Sequence, residues 1–375
     1  MKKNKLLSGD DFSGEIVWTS PANIAIVKYW GKYGVQLPRN PNISFTLEKA
    51  ATTMRLQYSA KKAVSYQLSA ISTENLSEVK TNLISLDFRF TETGKSEKFR
   101  KKIVAFLSSV INEFPFLTQL DMRIDSENSF PHSAGIASSA SSMSALALCL
   151  CSLENRLTGN LPENTPAFFK KASRIARLAS GSACRSVYPE MALWGKMKEV
   201  KVSSNLFAID FSEHIHLVFK TYHDAILIAS TAEKDVSSRR GHGLMNNNAY
   251  ATPRYKQARE RMQSLLEILK SGDTHAFGQI AEDEAMTLHA LMMTSSPSFT
   301  LLKPNTLRMI EILRTWRQQT NIPAYFSLDA GPNLHLLFPN EVAGETIAFI
   351  ETQLKPYCEN EKIIYDRVGK GAIRS

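Results

Sequence analysis

The chain has no apolar run near the roughly 20 residues a membrane-crossing helix needs, so the sequence predicts no membrane span. Its opening stretch, MKKNKLLSGDDFSGE, is basic but lacks an apolar middle, and we expect no secretory signal. Cysteine is scarce. Cys149, Cys151, Cys184 and Cys358 form no CxxC pair and have no histidine at zinc spacing. Cys149 and Cys151 lie two apart on a helical segment and cannot share a face. We therefore expect four reduced thiols in a cytoplasmic protein. The G-x-x-x-x-G-K-[ST] phosphate loop is missing. So are internal repeats, low-complexity tracts and long flexible linkers.

What is present fits a soluble globular protein of more than one domain. There are 375 residues, 43% hydrophobic and 22% charged. The net charge of +9 suits an anionic ligand, but nucleic acid as well. The charge is spread along the chain. Its one dense basic cluster, FRKKIV, lies on an amphipathic helix whose apolar face should be buried. That argues against nucleic-acid binding, which calls for basic patches with interleaved aromatics.

The first hundred residues read as strands: EIVWTS, ANIAIVKYW, ISFTLEK, TTMRLQYS and LISLDFRF. KSEKFRKKIVAFLSSVINEF follows with helical spacing, with Phe99, Ile103, Phe106 and Val110 on one face. LDMRID is a strand, and helices are predicted over about Ile136–Arg156 and Pro166–Ala179. GSACRSVYPE is a turn-rich break, and LVFKTYHDAILIAS is strand. Helices come next near Pro253–Lys270, Thr274–Met293 and Asn305–Thr320. Two strands lie within AYFSLDAGPNLHLLF. A helix near Val342–Leu354 and the strand KIIYDRV close the chain. Strand-rich then helix-rich segregation predicts an α+β protein, with domains over residues 1–210 and 211–375.

Five stretches could carry chemistry. SFPHSAGIASSASSMSALALCL puts Ser138, Ser139, Ser141, Ser142 and Ser144 into the opening turns of a helix. Serine is a mediocre helix former. Small residues there suit either close packing or a phosphate cradle at a helix N-terminus. In PANIAIVKYWGKYG, Lys28 falls inside an apolar strand. It faces an anion or reaches solvent from an edge. SGSACRS (Ser180–Ser186) offers hydroxyls and one guanidinium, suited to a carboxylate or phosphate. In LDAGPN, Asp329 is a general base or a turn former. VSSRRGHG (Val236–Gly243) reads as a polar loop, with Ser238 and Arg239 as candidate anion contacts.

Together and in this order, NIAIVKYWGK, FPHSAGIASSAS, SGSACRS, SSRRG and DAGPN resemble the motifs of the mevalonate diphosphate decarboxylase family of the GHMP kinase superfamily. The resemblance runs from about Thr19 to Asn333. It implies a two-domain GHMP kinase-like fold with a strand-rich first domain and a helix-rich, ferredoxin-like second one. It also implies ATP-dependent decarboxylation of (R)-5-diphosphomevalonate to isopentenyl diphosphate, in the mevalonate pathway of isoprenoid biosynthesis, with Mg²⁺ as bridge and charge shield. Sister reactions on the same scaffold are monophosphate decarboxylation and 3-phosphorylation of mevalonate alone.

By the same resemblance, Asp329 is the base, Lys28 neutralises charge at the reacting hydroxyl, and Arg185 with Asn23 orients the substrate carboxylate. Tyr29, Trp30, Gly31, Lys32, the run Ser180, Gly181, Ser182, Ala183, Cys184, and then Ser238 and Arg239 surround the anionic substrate. Ser133, Ala134, Gly135, Ile136, Ala137, Ser138 and Ser139 wrap the ATP phosphates. No dedicated metal ligand set is expected. The family is often dimeric. The chain departs from the family pattern at His132, in PHSAG for the usual PTAAG. It departs again at VYPEMALW, where Pro189 and Glu190 are expected to stiffen the loop and add negative charge near the substrate.

Overall fold

The computed structural model describes residues 12–61, 81, 83–130, 138–232 and 236–375. Two long strands, β1 (Ser13–Val27) and β4 (Asn42–Ala60), pair antiparallel and form the spine. Each joins two segments that read separately in the sequence: EIVWTS with ANIAIV, and ISFTLEK with TTMRLQYS. The breaks in pattern are register irregularities within a continuous strand.

Around this spine the larger sheet has eight strands among the described residues. β7 (Leu120–Asn128) pairs antiparallel with the second half of β4 and parallel with β5 (Ser85–Phe90). β6 (Gly94–Lys95) edges β5. The first residues of β4 pair with β8 (Met191–Trp194), which pairs with β9 (Ala208–Asp210). β2 (Lys32–Tyr33) and β3 (Leu37–Pro38) form a small separate ribbon. Helices α1 (Glu97–Ser109), α2 (Ser138–Thr158) and α3 (Pro166–Ala179) share one apolar core with the larger sheet. Their starts are capped locally: the Ser96 hydroxyl accepts from Phe99 N–H, and Thr165 accepts from Phe168 N–H just before Pro166.

The second half begins with a helical turn, α4 (Leu217–Lys220), where the sequence predicts strand. The strand proper is β10 (His223–Leu227). Ser238–Leu244 is helix α5 rather than a loop, because Ser237 caps it through Arg240 N–H. Then come α6 (Ala251–Ser271), α7 (Thr274–Met293) and α8 (Pro304–Thr320). β11 (Tyr325–Leu328), β12 (Leu334–Phe338), the short α9 (Ala343–Phe349) and β13 (Ile363–Arg367) follow. The second sheet is antiparallel throughout, in the order β11-β12-β10-β13.

The halves share a core. Ile24, Ile26, Val27 and Phe45 from the first half pack with Phe219, Tyr222, Ile226 and Phe277 from the second. A polar clamp adds to it. The buried Asp366 carboxylate on β13 accepts from Glu48, Lys49 and Ala50 N–H at 2.7–3.0 Å, where β4 leaves its register with β1. The chain then returns to the first sheet as β14 (Ile373–Arg374), paired with β1. The α+β class expected from the sequence holds. Among the described residues no helix is long and apolar enough to cross a membrane.

Candidate active site

The site begins where β1 stops being regular. Ala25 pairs with Ser44 and Val27 with Ile43, so Ile26 is an extra residue, a β-bulge. Ile24, Ile26 and Val27 all enter the core, while Asn23, Ala25 and Lys28 all line a cleft. Strict alternation would have sent Lys28 into the core beside Ile24 and Ile26. Lys28 is buried, and its Nζ donates to Ser327 Oγ at 2.8 Å and to Asp329 Oδ1 at 3.1 Å. Its backbone is held as well: Lys28 N–H donates to Glu284 at 2.8 Å, and Asn40 Nδ2 donates to Lys28 O at 3.1 Å. Burial lowers the Lys28 pKa, and the neighbouring Asp329 charge opposes that shift.

Asp329 follows the last residue of β11. Its carbonyl accepts from His289 Nε2 at 3.1 Å and from Gly331 N–H at 2.7 Å, so its backbone is fixed from two sides. Glu284, fully buried on α7, accepts from Arg254 and Arg261 in addition to Lys28 N–H. Burial would raise its pKa, but these partners, Arg254 foremost, hold it below the usual range.

Arg185 is 2% exposed. Its guanidinium donates to Asn23 Oδ1 at 3.1 and 3.2 Å, to Ser44 Oγ at 2.9 Å and to Asn42 Oδ1. All of these are neutral acceptors, and among the described residues Arg185 makes no ion pair. A buried cation held only by neutral groups is costly by itself and favours an incoming anion. Asn23 is oriented in turn by donating to Ser186 Oγ at 2.7 Å.

Ser180, Gly181 and Ser182 form the cleft wall beside Arg185. A Cβ on Gly181 would lie 2.6 Å from Tyr29 Oη, so the wall needs glycine there. Three residues that the sequence grouped with the substrate do not line the cleft. Ala183 and Cys184 point into the core of the first half, where burial pushes the Cys184 thiol up to about 12. Gly31 sits behind the wall, its N–H donating to His242 Nδ1 at 3.0 Å.

The cleft encloses about 620 Å³. Among the described residues Lys28, Lys32, Lys98, Lys102, Arg185 and Arg239 line it, against the single carboxylate of Asp329. Six cations facing one anion suit a polyanionic ligand. Tyr29, Trp30 and Ser238 complete the expected substrate wall. Lys98 and Lys102, from the FRKKIV region, went unassigned in the sequence. Their four-residue spacing places them on one face of α1. Lys102 reaches Ser139 Oγ at 3.2 Å, and burial lowers its pKa, with the Arg239 charge adding to the effect. His242, Asn42, Ser44, Glu284 and Ser327 went unassigned too. Asn42 and Ser44 lie on β4, His242 on α5, Glu284 on α7 and Ser327 on β11, and none shows a local pattern.

Of the serine-rich stretch, Ser138 and Ser139 open α2 and line the cleft. Ser141, Ser142 and Ser144 are buried. Ser141 shares a 2.6 Å hydrogen bond with Thr52, and Ser142 donates back to Ser138 O at 2.7 Å. The helix thus uses serine for the cleft in its first turn and for close packing afterwards. Ser133, Ala134, Gly135, Ile136 and Ala137, with His132, lie outside the described residues. Glu190 adds no charge to the cleft. It pairs with Lys220 of α4 at 3.1 Å.

Residues 20–205 match the model for the diphosphomevalonate decarboxylase-like N-terminal domain. Residues 225–372 match the mevalonate 5-diphosphate decarboxylase C-terminal domain. The diphosphomevalonate decarboxylase of Saccharomyces cerevisiae is 29% identical over 347 residues, covering 88% of this chain and 80% of that protein. The crystal structure of mevalonate diphosphate decarboxylase from Staphylococcus aureus superposes with a TM-score of 0.78 at 26% identity, over 97% of this chain and 99% of that one. A related solved complex with MVAPP, AMPPCP and magnesium gives 0.77 at 26% identity, with the same coverage. Two matched domain models span nearly the whole described chain and meet at the cleft that holds Lys28 and Asp329, and the chain belongs to the diphosphomevalonate decarboxylase family.

Proposed function

We propose that the protein converts (R)-5-diphosphomevalonate and ATP to isopentenyl diphosphate, ADP, phosphate and carbon dioxide. One observation carries the reading. Among the described residues Asp329 is the one carboxylate lining the cleft, it is paired with buried Lys28, and the buried Arg185 on the same cleft has no anionic partner.

In this reading Asp329 accepts the proton of the tertiary 3-hydroxyl as that oxygen bonds to the transferring phosphorus and the bond to ADP breaks. Lys28 balances the negative charge gathering there. Arg185, with Asn23, holds the substrate carboxylate. The bond from that carboxylate to the chain then breaks, its electron pair forms the new double bond, and phosphate leaves. Tyr29, Lys32, Ser182 and Arg239 face the diphosphate. Ser138, Ser139 and Lys102 face the nucleotide phosphates.

Among the described residues no group of three or more His, Cys, Asp or Glu could hold a metal. Magnesium takes oxygen donors and is commonly held by substrate phosphates with few protein ligands. The Ser138 and Ser139 hydroxyls suit that role. When bound, the ion supplies charge neutralisation on the phosphates.

The test is incubation with ATP, Mg²⁺ and, separately, mevalonate, its 5-phosphate and its 5-diphosphate. Carbon dioxide and ADP in equal amounts are expected, fastest with the diphosphate. ADP without carbon dioxide identifies a kinase, and faster turnover of the monophosphate identifies the sister decarboxylase.

A further inference from the structure

His242 lies on α5, in the GHG that follows SSRR. It is 8% exposed and lines the cleft. Its ring sits against two aromatic rings from the first half of the chain, with centroids 4.4 Å from Tyr29 and 4.7 Å from Trp30. Gly241 makes the close approach feasible, because a Cβ there would lie 2.5 Å from Trp30.

The Gly31 amide, 3.0 Å from Nδ1, can only donate. Nδ1 must therefore carry the lone pair, and in a neutral imidazole the proton then sits on Nε2. The imidazole is neutral: burial foremost, then the Lys32 and Arg185 charges, push its pKa down to about 3. Among the described residues nothing hydrogen-bonds Nε2. An N–H donor without a partner among the described residues, in a cleft lined by Lys32 and Arg239, suits an anionic oxygen.

We infer that His242 is a substrate-binding residue whose Nε2–H, fixed in that tautomer by the Gly31 amide, donates to a diphosphate oxygen of the substrate. The inference rests on the function proposed above and adds a neutral donor to the cations already facing the diphosphate. A neutral donor adds direction without further repulsion between Lys32 and Arg239, whose charge already lowers the Lys32 pKa after burial does.

Two measurements test it. The first is ¹⁵N NMR of histidine-labelled protein, titrated with inorganic pyrophosphate. We expect the Nε2–H tautomer at neutral pH and movement of its signal as pyrophosphate binds. An Nδ1–H tautomer, an imidazolium, or a signal unmoved at saturation overturns the inference. This experiment needs no turnover, so its outcome is separate from that of the proposed reaction. The second is kinetic. His242→Phe keeps a ring between Tyr29 and Trp30 but removes both nitrogens. KM for the diphosphate substrate should rise about ten- to a hundredfold, as for a lost hydrogen bond to a charged group, with kcat within a few-fold. His242→Gln, which restores an acceptor and a donor, should recover part of the loss. An unchanged KM in a folded Phe variant overturns the inference. If that variant does not fold, the NMR result decides.

Discussion

The Lys28 ammonium lies 3.1 Å from a carboxylate oxygen of Asp329, a residue 301 positions further along the chain. The two differ in access: the Lys28 side chain is 2% exposed and that of Asp329 28%. Both line the cleft, the carboxylate with more of its surface open. A ligand therefore meets Asp329 most directly, with the Lys28 charge beside it.

Asp329→Asn should damage chemistry far more than binding. A positioned base contributes about 10²–10⁴-fold to rate, so kcat should fall at least about a hundredfold. Substrate affinity should stay within a few-fold, because the lost carboxylate only repelled an anion. Steady-state kinetics with calorimetric binding of the diphosphate checks both. Near-parental kcat with collapsed thermal stability would show Asp329 to be a turn former.

Arg185→Gln should raise KM and lower kcat, because it removes a contact made in both bound substrate and transition state. Its effect on stability should be small or favourable. The parent buries a cation against neutral Asn23, Asn42 and Ser44, and removing an unpaired buried charge relieves a desolvation cost. Thermal denaturation checks this, and a Tm loss above several degrees would count against it.

The pH profile of kcat should fall on the alkaline side below the ordinary lysine range of about 10.4. Burial lowers the Lys28 pKa, so its charge is lost as pH rises through that lowered value. Linkage has the opposite sign. Between the folded and unfolded pKa values the unfolded chain binds more protons, so this group favours the folded state increasingly as pH rises. Activity should therefore fall without unfolding, checked by circular dichroism across the same range. A Lys28→Met variant should be slow and lack this limb.

Glu284→Gln should destabilise the fold by about 3–5 kcal/mol, the usual cost of breaking a buried ion pair by removing one partner. Arg254, itself buried, would lose the carboxylate it meets at 2.5 and 2.6 Å. Glu284 has a lowered folded-state pKa, so its contribution is complete above the unfolded value and is lost as pH falls through the folded one. Urea unfolding at neutral and acid pH checks this: the variant's deficit should shrink in acid.

Gly181→Ala should raise KM for the diphosphate substrate about tenfold while leaving the fold intact. The new methyl group would meet Tyr29, which is hemmed in by Trp194 and His242 at centroid distances of 4.7 and 4.4 Å. Overpacking costs about 1–3 kcal/mol, and here it should be relieved by shifting a ring on the cleft wall. Unchanged KM would mean that Tyr29 yields freely.

The sequence by itself determined most of the elements and the type of chemistry. Helix bounds at Thr274–Met293 and Pro166–Ala179 were legible because caps and apolar spacing are local signals. Lys28, Arg185 and Asp329 could be picked out because polar groups in apolar or glycine-serine contexts are rare, and their motifs carry a family likeness. The tertiary structure alone decided which way these groups point and what they meet. A one-residue bulge at Ile26 turns Lys28 from the core to the cleft, and no alternation pattern reveals a bulge set by pairing with β4. The basic face of α1 became a cleft wall, and 238–244 became a helix carrying a histidine to Gly31. Ala183 and Cys184 left the site for the core, although they stand beside Arg185 in the chain. These outcomes rest on contacts between residues far apart in sequence, where packing and register act on the folded chain and leave no trace in local composition.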